Sequence, residues 1–517
     1  MKTSRALARL LATALIVATP AALPSAAQAD PDADPDPRPG SEQSLPVRGV
    51  DAAAAAQAPT APRARAMGSS AGRSSTVALT PQQDTDPFRL VGVTWSGQRS
   101  DVAVWARTRT DDGWSGWTEL PVSDEHAPDP GAGEAAAQRG GTDPMIVEES
   151  DAVQVRIDDL PGGTSGEPQD AEVELVDPGV VSADSSSTAQ DASPTDVAAA
   201  GSRSSALRAE PEVLSRASWG ADESIRRGSP SYGDIKGGFV HHTVNSNSYS
   251  AAEVPAMIRS IYRYHVQGRG WNDIGYNFIV DRFGRVWEGR AGGVDRPVVG
   301  AHTAGYNSNS FAMSALGDHT STAVPSAVRS AYARLYAWKL GRHHADPRRY
   351  AWIPSGSSTL VTPTISGHRD AGQTACPGQR LYDRLPSIRQ ATGDAQGAIF
   401  YNPKVAETSW RYGTAGSNTG LTARVQGRVE YRLEIRNSCE GLVRYRRGFA
   451  SASSPIDTGW SGRLADGSWA PPGYYYYTLT AIDRDGRAEP VPTWTSGRIW
   501  IRSTTSSPPS FCQQARS

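Results

Sequence analysis

Phe239-Val240-His241-His242-Thr243 and Gly367-His368-Arg369-Asp370-Ala371-Gly372-Gln373-Thr374-Ala375-Cys376-Pro377-Gly378 are the stretches on which the reading of this chain turns. The first is an apolar run ending in two histidines. The second sets a histidine and a cysteine in a segment rich in small residues. His241, His368 and Cys376 together offer two imidazoles and one thiolate. That is the donor set of a catalytic zinc site, whose fourth position stays open for water. The step from His368 to Cys376 is long for one helix face, so a loop is the natural carrier, shaped by Pro377 and Gly378. His242 neighbours His241 on a strand and points to the opposite face. It reads as structural, or as support for the ligands. Taken singly, a histidine or cysteine is more often core than ligand.

Outward from these stretches the pattern is mixed α/β. Gly238–Thr243 reads as an apolar strand. Ser250 followed by Glu253 is a capping-box start, opening a helix through Met257, Ile258, Ile261 and Tyr262 toward Gly268. Tyr276–Val280 and Arg285–Glu288 flank Asp281-Arg282-Phe283-Gly284, a hairpin signal. Phe311–Leu316 reads as another strand. Pro325 to about Leu340 reads as a helix with apolar Val328, Ala331, Leu335 and Trp338, and a last helix falls near Leu381–Ile388. Residues 210–393 are expected to form an α/β domain, a mixed sheet flanked by helices.

The flanks read as β. Phe88–Trp95 and Val102–Arg107 look like strands, and Val153–Ile157 and Ala171–Leu175 alternate with period two. Residues 77–178 are expected to form a β-sandwich-like domain, interrupted by a Gly/Ala/Pro loop at 126–144. Its Trp95, Trp105, Trp114 and Trp117 are expected in the core rather than on a glycan-binding face. Residues 401–502 alternate again at Val429–Ile435. Their Trp460-Ser461-Gly462, Asp466-Gly467 and Gly473–Asp483 pattern resembles the immunoglobulin-like module of flagellar hook-capping proteins. The expected fold class is an α/β central domain with β-sandwich domains on both sides.

The 517 residues are 38% hydrophobic and 21% charged, with net charge −2. That length suits several domains, and that balance gives no reason to propose nucleic acid. The charge is uneven: residues 1–210 carry 16 Lys+Arg against 31 Asp+Glu, and residues 211–392 carry 21 against 13. A cationic body suits anionic cell-wall polymers, and an ordinary arginine-rich surface explains it equally well. Lys2, Arg5 and Arg9, the apolar run Leu10–Ala22 and Ala27-Gln28-Ala29 read as a signal peptide over residues 1–29. Export to the cell wall of a bacterium is expected, with no membrane anchor left after cleavage. Residues 30–76 and 179–209 read as disordered linkers and 503–517 as a loose tail. With Cys376 assigned to metal, Cys439 and Cys512 remain as a candidate disulfide. His343 and His344 read as an exposed helix end.

Six ordered blocks carry a family resemblance: Ser215–Ala221, Val240–Thr243, Gly270–Phe278, Asp281–Arg290, Gly300–Asn307 and Gly367–Gly378. This stretch resembles the peptidoglycan recognition protein family, the amidase fold shared with T7-type lysozyme. The resemblance implies one Zn2+ ion on His241, His368 and Cys376. It implies N-acetylmuramoyl-L-alanine amidase activity, cleaving the amide between N-acetylmuramic acid and L-alanine of peptidoglycan. Tyr276 falls at the family's catalytic tyrosine. Thr374 falls where the phage branch has a catalytic lysine and animal amidases have threonine. His302 falls on the substrate groove, with Asn307 and Arg290 as further contacts to glycan or peptide. Arg369 and Asp370 are expected to fix the loop. The alternative is a non-catalytic peptidoglycan-binding module; such members typically lose the cysteine, which is present here. The flanking domains are expected to tether the enzyme to the wall.

Overall fold

The computed structural model describes residues 37–57, 75–162, 166–181, 184, 210–414, 419–482 and 491–503. The expected signal at 1–29, most of both expected linkers, and Cys512 lie outside them.

The N-terminal domain comprises β1 (Ser41–Pro46), β2 (Ser75–Leu79), β3 (Gln83–Trp95), β4 (Val102–Thr110), β5 (Gly113–Trp114), β6 (Thr118–Leu120), β7 (Gly140–Gly141), β8 (Met145–Asp159) and β9 (Glu172–Asp177). They belong to one sheet with the order β1-β9-β3-β8-β4-β5. Register shifts on either side of Phe88 bend the long β3–β8 pair. The sheet thereby encloses a core of Val91, Val93, Trp95, Val104, Val155, Ile157, Val173 and Leu175. The two layers of the expected sandwich are thus parts of one continuous sheet. Trp95 and Trp105 are buried. Trp114 and Trp117 instead lie partly exposed, their rings 4.9 and 5.2 Å from the Arg107 guanidinium.

Residues 41–46 are strand rather than linker: they pair antiparallel with β9, from Ser41↔Asp177 to Pro46↔Glu172. Six residues between Pro-rich flanks show no usable period, and their partner lies far along the chain. The loop between β6 and β8 carries a 3-10 turn at Gly133–Ala137 and leads out to the next domain.

The central domain holds β10 (Gly237–His242), β11 (Phe278–Val280), β12 (Val286–Glu288), β13 (Ser310–Ala315), a hairpin of β14 (Tyr350–Ser355) and β15 (Ser358–Pro363), and β16 (Ile365–Gly367). Its sheet order is β12-β11-β13-β10-β16, parallel except for β12. Helices Ser326–Arg342 and Leu385–Gln396 cover one face, closing a core with Val240, Met313, Leu335 and Ile388. The Tyr336 hydroxyl donates to the Phe239 carbonyl at 2.6 Å, pinning the longer helix to β10.

Helix Val254–Arg263 covers the other face, its start held by the Ser250 N–H donating to the Glu253 carboxylate at 2.7 Å. Its last turn widens to a π-helix at Tyr264–Gly268. Leu90 and Val176 of the N-terminal domain share one hydrophobic cluster with Trp219, Ile258 and Tyr262 on this side. The two domains are therefore joined by a core, not only by a linker.

The C-terminal domain comprises β17 (Ile399–Val405), β18 (Ser409–Arg411), β19 (Thr419–Gln426), β20 (Arg428–Asn437), β21 (Leu442–Ser451), β22 (Ile456–Trp460), β23 (Gly473–Ile482), β24 (Trp494–Thr495) and β25 (Ile499–Arg502). They form a three-stranded and a six-stranded sheet around one core. Tyr401 donates to Gln396 at 2.7 Å, fastening this domain to the last helix. His344 is buried rather than exposed: its ring stacks on Phe400 with centroids 4.6 Å apart. The covering residue belongs to the next domain, which a local reading cannot see.

Gly238 is closely packed. A Cβ there would lie 2.7 Å from the Tyr336 ring and 2.8 Å from the Phe311 ring. Overpacking costs about 1–3 kcal/mol, so Gly238→Ala is expected to lower the urea midpoint correspondingly. An unchanged midpoint would show that these rings are not held against β10.

Candidate metal centre

Parallel pairing brings two ligands together. Val240 of β10 pairs with Gly367 of β16. The next residue on each side is a histidine, so His241 and His368 emerge side by side at the C-terminal ends of the strands. Ligands of open α/β sheets sit at that edge. Cys376 returns on the following loop, where Arg369 N–H donates to its carbonyl at 3.0 Å. Asp370 accepts from Gly367 N–H at 2.9 Å and from the Tyr382 hydroxyl at 2.6 Å. Arg369 donates to Gln379 at 2.9 Å and to the Ala375 carbonyl. Both residues brace the loop, each through partners other than the other. The Thr374 hydroxyl accepts from Cys376 N–H at 3.1 Å.

A fourth member arrives from the N-terminal domain. His126, on the loop after β6, places Nε2 2.8 Å from His241 Nδ1. Its ring stacks on His368 with centroids 4.5 Å apart. One potential ligand atom from each of His126, His241, His368 and Cys376 lies within 4.8 Å of the others, and all four residues are buried. His126 Nδ1 lies 2.8 Å from Asp143 Oδ1. A carboxylate on one ring nitrogen fixes the tautomer and leaves the other nitrogen as a metal donor. A fourth potential ligand, His126, thus stands beside the three that the sequence suggests, where an open position was expected. His126 is a lone histidine in a Pro/Asp/Ala loop, and nothing local to it signals a ligand.

The electrostatics suit a bound cation. Burial pushes His241 and His368 well below the usual imidazole range, and neighbouring imidazoles add to this. Burial pushes the Cys376 thiol well up. Among the described residues neither nitrogen of His368 makes a well-formed hydrogen bond, the Glu125 backbone being the nearest polar group to act on it. Unpaired buried polar groups are costly, and a cation among these donors would satisfy them. Imidazoles with a thiolate suit zinc. Asp143, which burial alone would raise, is held at about 2 by His126 and by a hydrogen bond from Ser123.

The remaining sequence-chosen residues surround this cluster. The Tyr276 ring lies 5.6 Å from that of His241 and 5.7 Å from that of His126. His242 is engaged elsewhere, its Nδ1 accepting from His319 N–H at 3.2 Å. Thr303 Oγ1 bridges His302 Nδ1 at 3.0 Å and His241 Nε2 at 3.3 Å. Asn307 Oδ1 accepts from His302 and Thr303 N–H at 2.8 and 3.0 Å. Arg290 pairs with Glu134, at 2.6 and 3.0 Å. His302 and Asn307 thus lie together, with the Arg290 charge near enough to act on His302, but the three stand at 0%, 0% and 7% exposure.

Two family models match the chain. One, described as Rv3811 N-terminal galactose-binding domain-like, covers residues 40–192; the other, N-acetylmuramoyl-L-alanine amidase, covers residues 231–379. Peptidoglycan-recognition protein SC2 of Drosophila simulans is 30% identical over 174 residues, which are 34% of this chain and 84% of that protein. This chain belongs to the peptidoglycan-recognition protein family. An N-acetylmuramoyl-L-alanine amidase of Homo sapiens is 34% identical over 181 residues, 34% of this chain and 28% of that protein. The solved structure of wild-type Drosophila PGRP-LB is 28% identical and covers 34% of this chain and 93% of that one, with a TM-score of 0.28. The recognition-protein region falls on the central domain, which supplies His241, His368 and Cys376. The other match begins at β1 and includes His126 and Asp143.

The purified chain is expected to carry about one zinc ion per molecule, as a single mononuclear site requires. Cys376→Ala should surrender it to much lower chelator concentrations. Equal zinc retention by the variant, measured by elemental analysis after dialysis, would remove Cys376 from the ligand set.

Proposed function

We propose that this chain is a secreted, zinc-dependent N-acetylmuramoyl-L-alanine amidase that hydrolyses the bond between N-acetylmuramic acid and L-alanine in bacterial peptidoglycan. The observation that carries the reading is Cys376, buried beside His241 and His368 and near Tyr276. Export rests on the signal-like residues 1–29, and the cationic central region suits a wall that also holds anionic polymers.

A zinc ion on His241, His368 and Cys376 supplies, when bound, a Lewis acid for the scissile carbonyl and a lowered pKa for water. The protein's own groups do the rest. Burial raises the Tyr276 phenol well above its usual range. It therefore stays protonated at neutral pH and donates a hydrogen bond to the negative charge developing on the carbonyl oxygen. Thr303 holds His241 through its second ring nitrogen. Thr374 acts by holding the backbone of Cys376, which makes it a positioning residue. Among the described residues His302 Nε2 has no hydrogen-bond partner, and with Arg290 and Asn307 it forms the wall that receives glycan and stem peptide.

Prolonged incubation of the full chain with purified peptidoglycan is expected to expose new amino termini on L-alanine. A chelator and Cys376→Ala should abolish them. Tyr276→Phe should reduce the rate by about 10²–10³-fold, the loss typical of one oxyanion donor. Binding without stem-peptide release would favour the non-catalytic alternative.

A further inference from the structure

The loop between β6 and β8 does more than deliver His126. Glu134 forms its two-pronged pair with Arg290, and also accepts from Asn272 N–H at 3.0 Å. Asp129 accepts from Asn307 N–H at 2.9 Å and Nδ2 at 2.8 Å, and from Ser308 N–H at 2.9 Å and Oγ at 2.7 Å. Glu125 accepts from Gln373 N–H at 2.8 Å, on the loop that carries Cys376. Three acidic side chains of one segment thus satisfy groups that the proposed function assigns to substrate or stand beside its metal loop.

The central domain grips the same segment from below. Arg269, 1% exposed, aims its guanidinium at the carbonyls of Ser123, His126, Arg139 and Thr142. The Tyr264 hydroxyl donates to the Thr142 carbonyl at 2.8 Å. Both grips come from the π-helical turn and the residue after it. The turn's wider spacing is a local departure from α-helix of the kind that clusters at functional sites.

We propose that the segment 123–143 is an intramolecular cap: His126 closes the metal centre as a fourth protein ligand, while Asp129 and Glu134 occupy the groove, so that the enzyme is latent until the cap is displaced. The proposal rests on the amidase reading for its consequence, though not for its geometry. A centre with four protein ligands is the closed, structural kind; removing one imidazole restores the open kind. Gly131, with φ of +83°, allows a tight bend within the cap.

The test uses the full chain with cobalt in place of zinc. Visible absorption reports ligand replacement directly, and azide is the probe. Azide is expected to leave the wild-type spectrum unchanged and to shift that of His126→Ala. Asp129→Asn/Glu134→Gln, which keeps all four ligands, guards against misfolding. It should become azide-sensitive and should exchange amide hydrogens in residues 123–143 faster. On a soluble muropeptide, His126→Ala is expected to act at least about tenfold faster than wild type, since the closed centre lacks the position for water. Wild-type cobalt that responds to azide as fully as His126→Ala would overturn the proposal. So would a His126→Ala chain that binds cobalt normally yet turns over no faster than an active wild type. If neither chain releases product, the amidase reading fails, and the azide response still decides whether His126 closes the centre.

Discussion

One thiol and three imidazoles converge, buried, on a single point between two domains. The protein's own hydrogen bonds satisfy the cluster only in part: Asp143 holds His126 and Thr303 holds one nitrogen of His241, while the other His241 nitrogen faces His126 and Cys376. Burying such groups unpaired is expensive. A cation turns the same arrangement from a liability into a fastening, because binding energy at a metal centre is also folding energy. The fold can be read as the means of assembling this point. The β10–β16 register aligns two histidines, a braced loop returns the cysteine, and a second domain brings the last imidazole with its carboxylate.

The inter-domain contact has an unusual division of labour. Leu90 and Val176 make it adhesive by joining a core that belongs mainly to the central domain. Arg269 and Tyr264 make it specific by holding carbonyls of one segment. Asp129 and Glu134 make it reversible in principle, since charged partners of Asn307 and Arg290 can be exchanged for polar groups of a ligand. The apolar part needs no rupture for the cap to lift. On the proposed reading, that separation would let the domain stay docked while its loop leaves.

Much of the central domain was legible in sequence because its signals are local. The apolar run before His241, the Ser250–Glu253 start and the apolar face of the helix over Val328 to Trp338 each lie within a few residues. Six ordered blocks then identified the family. What escaped depends on distant contacts. Strand Ser41–Pro46 exists only by pairing with residues that follow much later. His344 is buried only because Phe400 of another domain stacks on it. His126 lies 115 positions before His241, in a loop whose composition suggested only an interruption. Even the residues expected at the groove were placed together while their state was not foreseen, because the acids covering them belong to a different domain.

X-ray absorption at the zinc edge of the wild-type full chain tests the central claim most directly, because multiple scattering counts imidazoles. Four protein ligands predict three imidazoles at about 2.0–2.1 Å and one sulfur at about 2.3 Å. Two imidazoles, one sulfur and a solvent oxygen would contradict the account, leaving the N-terminal domain beside the centre rather than part of it.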